Sequence, residues 1–291
     1  MKIYDAHLHF LFKCRSSDLQ DHFNSLEEMG VAGFSALILR EFPDDINIVH
    51  QMIPAAFYDF LTLDMLYRQE HILPVIKQVK NQIIIPYLDA RYIGTDIEQK
   101  MKAYHEEGFL GLKLLHVPEE DTVAKICGME KAFGRTRSQS DKVTARIIEC
   151  ASGYRMPVLI HINLRNCSDF MAEILESFPQ LNFNIAHFGS YRNGIGKFLD
   201  KYPNCYTDVA SLIPVARKDP QGYLDFIREH QTRILFGSDA FIGEPEIARK
   251  ASGFFMKHLN DLQIIERIFN KNYLEFHRGI FPDPAKTENA G

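Results

Sequence analysis

The chain lacks any CxxC pair. Its five cysteines, Cys14, Cys127, Cys150, Cys167 and Cys205, are scattered and odd in number, which argues against a disulfide framework and for a reducing cytoplasm. No unbroken apolar stretch approaches the roughly 20 residues of a membrane span. A signal-peptide pattern is missing too, because Met1-Lys2 runs straight into an apolar segment that carries acid and histidine. Positive charge is not in excess: 33 Lys and Arg stand against 38 Asp and Glu, a net charge of -5. That balance gives no electrostatic reason to expect nucleic acid as a partner. Solenoid repeats, low-complexity tracts and linkers are also missing. What remains is a soluble, cytoplasmic chain of 291 residues, 46% apolar, read as a single domain over 1–291 with no membrane role.

Short apolar runs alternate with longer amphipathic ones, the pattern of βα units around a parallel sheet. Strands are expected at 2–9, 34–40, 82–89, 111–116, 158–162, 183–187, 205–208 and 233–239. Helices are expected between them, among others at 18–29, 97–107, 141–152, 168–177, 222–230 and 261–270. Eight strands in about 290 residues suit one (β/α)8 TIM barrel. Two spacings exceed a minimal barrel: 41–81 after strand 2 and 117–139 after strand 4. Such insertions are expected to carry extra helices or to cover an active site. The polar tail at 282–291 is expected to fray.

A barrel of this kind builds its site at the C-terminal ends of its strands. The first expected strand ends His7-Leu8-His9, and residues two apart share a face. Strand 5 carries His161, strand 6 ends at His187 and strand 8 at Asp239. Each residue alone would read as a core, surface or turn residue. Five that all fall at C-terminal strand ends read as a divalent-metal site, with Zn²⁺ first and Mn²⁺ or Fe²⁺ accepting the same donors. His116, ending strand 4, is a further candidate. His22, His50, His71, His105, His230, His258 and His277 fall in helical or connecting segments and are expected to be solvated or capping. Asp5 shares the face of His7 and His9 but lies deeper. Asp208 reads equally as a substrate contact or a cap.

The string Ile3-Tyr4-Asp5-Ala6-His7-Leu8-His9 resembles the opening of the amidohydrolase superfamily. Pro157–His161, Asn184–Gly189, Arg233–Asp239, Tyr202–Asp208 and Ile268–Asn272 resemble its amidohydrolase-related group, which includes aminocarboxymuconate semialdehyde decarboxylase. The likeness runs from the first strand to the last helix. It implies His7, His9, His161 and Asp239 as ligands of one metal, with His187 facing the water or the substrate. Two departures fall in substrate-facing loops: Gly189-Ser190-Tyr191 replaces a double glycine, and Ala240-Phe241-Ile242-Gly243 replaces an aromatic-proline segment.

Metal-acidified water can attack an acyl carbon at neutral pH. Asp239 is then the expected proton acceptor, and His187 the group that polarises the carbonyl. Arg40, Arg91, Lys113, Arg165 and Arg192 place a cation near the mouth in five neighbouring units. Taken singly, each is expected to pair with a local carboxylate such as Glu41 or Asp89. Together they favour an anionic small-molecule substrate, with Lys113, Arg91, Arg165, His116 and Arg40 as its contacts. Lys113 and His116 lie three apart and point to opposite faces of a regular strand. In binuclear superfamily members a fourth-strand lysine is carboxylated; the closer resemblance implies an unmodified Lys113 and a single metal. The expected activity is hydrolysis of a small amide, lactone or ester. Non-oxidative decarboxylation on the same metal is the alternative, a metal-free binding module a third reading, and a homodimer is compatible with the sequence.

Overall fold

The computed structural model describes residues 1–10, 16–59, 61–67 and 72–281. Cys14, His71 and the tail at 282–291 lie outside the described residues. Nine parallel strands form one sheet: β1 (Ile3–Phe10), β2 (Val31–Leu39), β3 (Ile83–Asp89), β4 (Gly111–His116), β5 (Val158–Ile162), β6 (Phe183–Ile185), β7 (Cys205–Asp208), β8 (Ile234–Leu235) and β9 (Ala240–Phe241). Their order is β8-β7-β6-β5-β4-β3-β2-β1-β9. β8 and β9 are the two halves of the eighth unit. The first pairs with β7 and the second with β1, so this stretch brings the two ends of the sheet together as a TIM-barrel-like fold. Bonds from Ala6 N to Phe236 O and from Asp239 N to His7 O, both 2.9 Å, join the halves to β1.

Local chemistry sets the elements. Pro157 ends a turn, and the β-branched run after it forms β5. The helix Arg137–Gly153 starts on a capping box of Thr136 and Gln139. Pro220–Glu229 starts with proline in its first turn and Asp219 accepting from Gly222 N. Two strands are shorter than the sequence suggests. β6 stops at Ile185 because His187, Phe188, Gly189 and Ser190 all turn left-handed, with φ of 55–57°. Asp239, with φ of 57°, breaks the eighth unit in the same way.

The main core lies between the strands and the outer helices. A second cluster, including Tyr4, Leu37, Tyr87, Leu159, Tyr206 and Tyr273, packs together with the last helix, Asn272–Phe276. A third lies under the insertions. The first insertion folds into Ile46–Gln51, the short 3-10 turn Ala55–Phe57, Leu63–Tyr67 and Ile72–Ile76. The second forms an antiparallel bridge between Asp121 and Ile126, then the helix Met129–Phe133. Val49, Met52 and Leu61 from the first pack with Ile126 and Met129 from the second. Gly128 N donates to Gln51 O at 3.2 Å. The insertions therefore make a joint apolar wall beside the mouth.

Candidate metal centre

β1 delivers His7 and His9. Its pairing with β2 slips by one residue between Asp5, opposite Phe34, and Leu8, opposite Ala36. This bulge interrupts strict alternation between Asp5 and Leu8, while His7 and His9 still turn towards one point. Asp5 Oδ1 instead accepts from the backbone of His7 at 2.9 Å and of Ser238 at 3.0 Å, pinning β1 to the eighth unit. Burial raises the Asp5 carboxyl to about 7. Gly237 makes room beside it, since a Cβ there would lie 2.9 Å from His7 Cβ.

Three donor atoms converge. His7 Nε2 lies 3.2 Å from His9 Nε2, and Asp239 Oδ1 lies 3.3 Å from the first and 3.1 Å from the second. His7 Nδ1 lies 3.0 Å from Asp208 Oδ2, so it carries the proton and leaves the Nε2 lone pair facing the cluster. Burial pushes His7 down to about 3 and lowers His9 as well. Burial alone would raise Asp239, but the charges of His7 and His187 and the hydrogen bond from His9 hold it well below the usual carboxylate range. Lone pairs packed so closely repel unless a cation or a proton sits among them. Donors about 2.0–2.2 Å from one tetrahedral ion lie roughly 3.3 Å apart. The spacing and the N,N,O donor set therefore fit a divalent metal.

Asp208 holds this arrangement from behind. Fully buried, its Oδ2 also accepts from Asn184 Nδ2 at 2.9 Å, and its Oδ1 accepts from His187 N at 2.9 Å and Ala210 N at 3.2 Å. Burial opposes its ionisation, yet the His7 charge and hydrogen bond outweigh that and bring it down to about 2. The same carboxylate thus anchors His7 and the left-handed turn that carries His187. Such a turn costs roughly 1–2 kcal/mol per residue, and bonds from His187 N to Asp208 and from Phe188 N to Thr207 Oγ1 at 3.2 Å hold it. His187 Nδ1 donates to Ala210 O at 3.1 Å, leaving Nε2 as the lone-pair nitrogen.

His161 stands apart from the three converging donors. Its Nε2 faces Asp121 Oδ2 at 3.5 Å, and its ring lies edge-on to His187 with centroids 5.4 Å apart. Asp121 is set by bonds from Val123 N and Ala124 N to its Oδ1. Burial lowers His161 to about 4.

His7, His9, His161, His187 and Asp239 line a cavity of about 980 Å³, together with Lys113. Lys113 is buried, and among the described residues it makes no ion pair. Burial is the main cause that lowers its amine to about 8. The other expected cations divide. Arg91 lines the cavity, but its Nε and Nη2 clamp Asp89 at 2.9 and 2.6 Å and its Nη1 donates to Met52 O at 3.1 Å. It lines the cavity as half of an ion pair with Asp89, the local pairing expected of it when taken singly. Arg40 is absent from the lining and pairs with Glu107 at 3.3 Å. His116 also faces away: it lies between Thr144 at 2.9 Å and Asp141 at 3.1 Å and stacks on Phe170. Strand alternation puts it on the helix side once Lys113 faces the cavity. Arg165 lines the rim, its guanidinium 4.4 Å over the Tyr191 ring.

Three histidines expected to be solvated or capping are buried: His22, whose Nδ1 accepts from Gly243 N, and His230 and His277, which stand at the C-caps of their helices. The anchoring role of Asp208, the carboxylate of Asp121 and Ser211, whose Oγ donates to Asp239 Oδ2 at 2.5 Å, were not foreseen. For Asp208 the only available signal was an acid ending a strand.

A family model described as amidohydrolase matches residues 4–276. No curated protein matches the sequence. Among solved structures, the chain resembles a phosphotriesterase homology protein from Escherichia coli complexed with phosphate in its active site. That likeness has a TM-score of 0.59 at 10% identity, covering 94% of this chain and 98% of the other. An amidohydrolase from Mycoplasma synoviae gives a TM-score of 0.57 at 12% identity, covering 94% and 87%. At such identities the structures speak for the fold, and the family model speaks for descent. The chain belongs to the amidohydrolase family of enzymes.

Proposed function

We propose that this enzyme hydrolyses a small, anionic amide, lactone or ester at a single divalent metal, with Zn²⁺ as the first expectation. The observation that carries the reading is the convergence of His7 Nε2, His9 Nε2 and Asp239 Oδ1 within 3.1–3.3 Å at the cavity floor. These three residues would hold the ion, and His161 is the fourth residue that the sequence pattern assigns to it. When bound, such an ion supplies Lewis acidity and lowers the pKa of water from 15.7 to about 7.

The chain's own groups do the rest. Asp208 fixes the His7 tautomer so that Nε2 stays available. Asp239 takes the proton as water attacks the acyl carbon; Ser211 holds its other oxygen. His187, with Nδ1 bound to Ala210 O, presents Nε2 towards the reacting carbonyl and, when protonated, stabilises the developing oxyanion. Lys113, unmodified, neutralises a substrate carboxylate near the floor. The apolar wall of the insertions limits water access.

A panel of lactones, esters and N-acyl amino acids, assayed with Zn²⁺, Mn²⁺ or Fe²⁺, tests this reading. Acid release that disappears on chelation and returns with metal is expected. Release of CO₂ from carboxylated substrates without hydrolysis of any panel member would overturn it in favour of the decarboxylase.

A further inference from the structure

The cavity is large for one compact acyl group. Its volume of about 980 Å³ is at the upper end of small-molecule sites, which run from roughly 300 to 1,000 Å³. One side is apolar, formed by Ile53, Pro54, Phe57 and Leu61 of the first insertion with Phe241. Three arginines line it, and they differ in what they hold. Arg91 is consumed by Asp89 and Met52 O. Arg192 pairs with Asp219 at 2.8 Å and packs over Tyr223 at 4.5 Å. Arg165 has no carboxylate or carbonyl partner for its guanidinium among the described residues; it lies 4.4 Å over the Tyr191 ring. Packed over the ring and without a protein partner for its N–H groups among the described residues, the guanidinium is available to take a carboxylate or phosphate in two parallel bonds. The helix Arg192–Lys201, which begins directly after Tyr191, has no side-chain cap, and Ser190 and Asn193 line the cavity beside it. Its amino end adds positive potential at the same rim. Lys113, buried and unpaired among the described residues, supplies a second cation in the same cavity.

We propose that Arg165 on Tyr191 is a receptor for a second anionic group of the substrate, remote from the bond that is cut. The substrate class is then an elongated acyl compound with an apolar middle and a terminal carboxylate or phosphate. This deepens the hydrolase reading and rests on it for the word substrate, but the anion site itself is testable by binding alone.

Metal-loaded protein is titrated calorimetrically with α,ω-dicarboxylates from succinate to suberate and with the monocarboxylates of the same lengths. A preference of about tenfold or more for the dicarboxylate at one optimal length is expected, in line with a charge-assisted pair. Arg165→Met is expected to abolish that preference, leave monocarboxylate binding unchanged, and keep the wild-type melting temperature. Arg165→Lys should restore part of it. The ω-phosphonooxy monocarboxylate of optimal length identifies the natural tail: tighter binding than the dicarboxylate assigns phosphate, weaker binding assigns carboxylate. No dicarboxylate preference in the wild type, or an equal one in Arg165→Met, overturns the proposal. The corresponding 4-nitrophenyl monoesters test the chemistry separately. If none is hydrolysed while the Arg165-dependent preference stands, the hydrolase reading fails and the anion site survives.

Discussion

Two groups of buried histidines in this barrel have opposite surroundings. In the tyrosine-lined cluster closed by the last helix, His277 is saturated: the Tyr87 hydroxyl lies 2.6 Å from Nε2, and Nδ1 donates to Tyr273 O at 2.9 Å. At the strand ends, His7 and His9 turn Nε2 towards each other and towards one carboxylate oxygen. There, His9 Nδ1 is buried without a hydrogen-bond partner, and His161 Nε2 faces only the Asp121 carboxylate at 3.5 Å. An imidazole whose two nitrogens are filled by the protein has finished its work when the chain folds. Imidazoles whose lone pairs converge leave a requirement that only a cation or a proton meets. Burial keeps both groups neutral, so the difference lies in partners and not in exposure.

Substitutions should separate the two regions. The largest effect is expected from Asp239→Asn, which in the proposed mechanism removes the proton acceptor and weakens a ligand. Turnover should fall on the order of 10²–10⁴-fold with a small change in KM, as steady-state kinetics will read. An Asn variant with near-normal turnover would remove Asp239 from the chemistry. At the other cluster, His277→Ala should lower unfolding free energy by about 3 kcal/mol by urea titration, because it leaves a cavity and orphans the Tyr87 hydroxyl. Its metal stoichiometry should stay as in the wild type.

Two of the three cavity arginines, Arg91 and Arg165, sharpen the same contrast between filled and free. Arg91→Met leaves Asp89 buried without its partner and should cost about 3 kcal/mol or more. Arg165→Met should change stability by less than about 0.5 kcal/mol. Equal losses in urea unfolding would contradict the assignment of one to the wall and the other to the rim.

A smaller effect is expected from pH. Burial pushes the His277 imidazole down to about 3, whereas the unfolded chain binds that proton with a pKa of about 6.5. The unfolded state therefore holds more protons between these values, so stability is fully present above pH 6.5 and is lost as pH falls towards 3. At pH 5 the loss from this one group is about 2 kcal/mol. Metal-free wild type and His277→Gln, unfolded in urea at pH 7 and pH 5, should differ in slope by that amount. Identical slopes would mean that His277 is not held neutral by its site.

Much of this was legible in the sequence, and the failures have physical causes. β4, β5 and β7 begin and end where their apolar runs do, because buried parallel strands must be apolar on both faces. Alternation put Lys113 and His116 on opposite faces. The same rule brought His7 and His9 to one point on β1, although one extra residue between Asp5 and Leu8 shifts the register there. His187 reads as a strand residue, but its backbone nitrogen is taken by Asp208, and the chain turns left-handed there. Arg91 follows Asp89 by two, and the local pairing expected of each cation taken singly is the one that forms there. Asp208 reaches His7 across 201 residues of sequence, and no local pattern reveals such a partner. Asp121 comes from an insertion whose path is fixed only by packing against the other insertion.

The central claim is that the converging lone pairs at the barrel mouth hold one metal ion. A crystal of the enzyme grown with Zn²⁺, with anomalous data collected on both sides of the zinc edge, tests it most directly. One peak within about 2.2 Å of His7 Nε2, His9 Nε2 and Asp239 Oδ1 is predicted, with Lys113 carrying no added density. A second peak bridged through a carboxylated Lys113, or no peak among these three atoms, would contradict it.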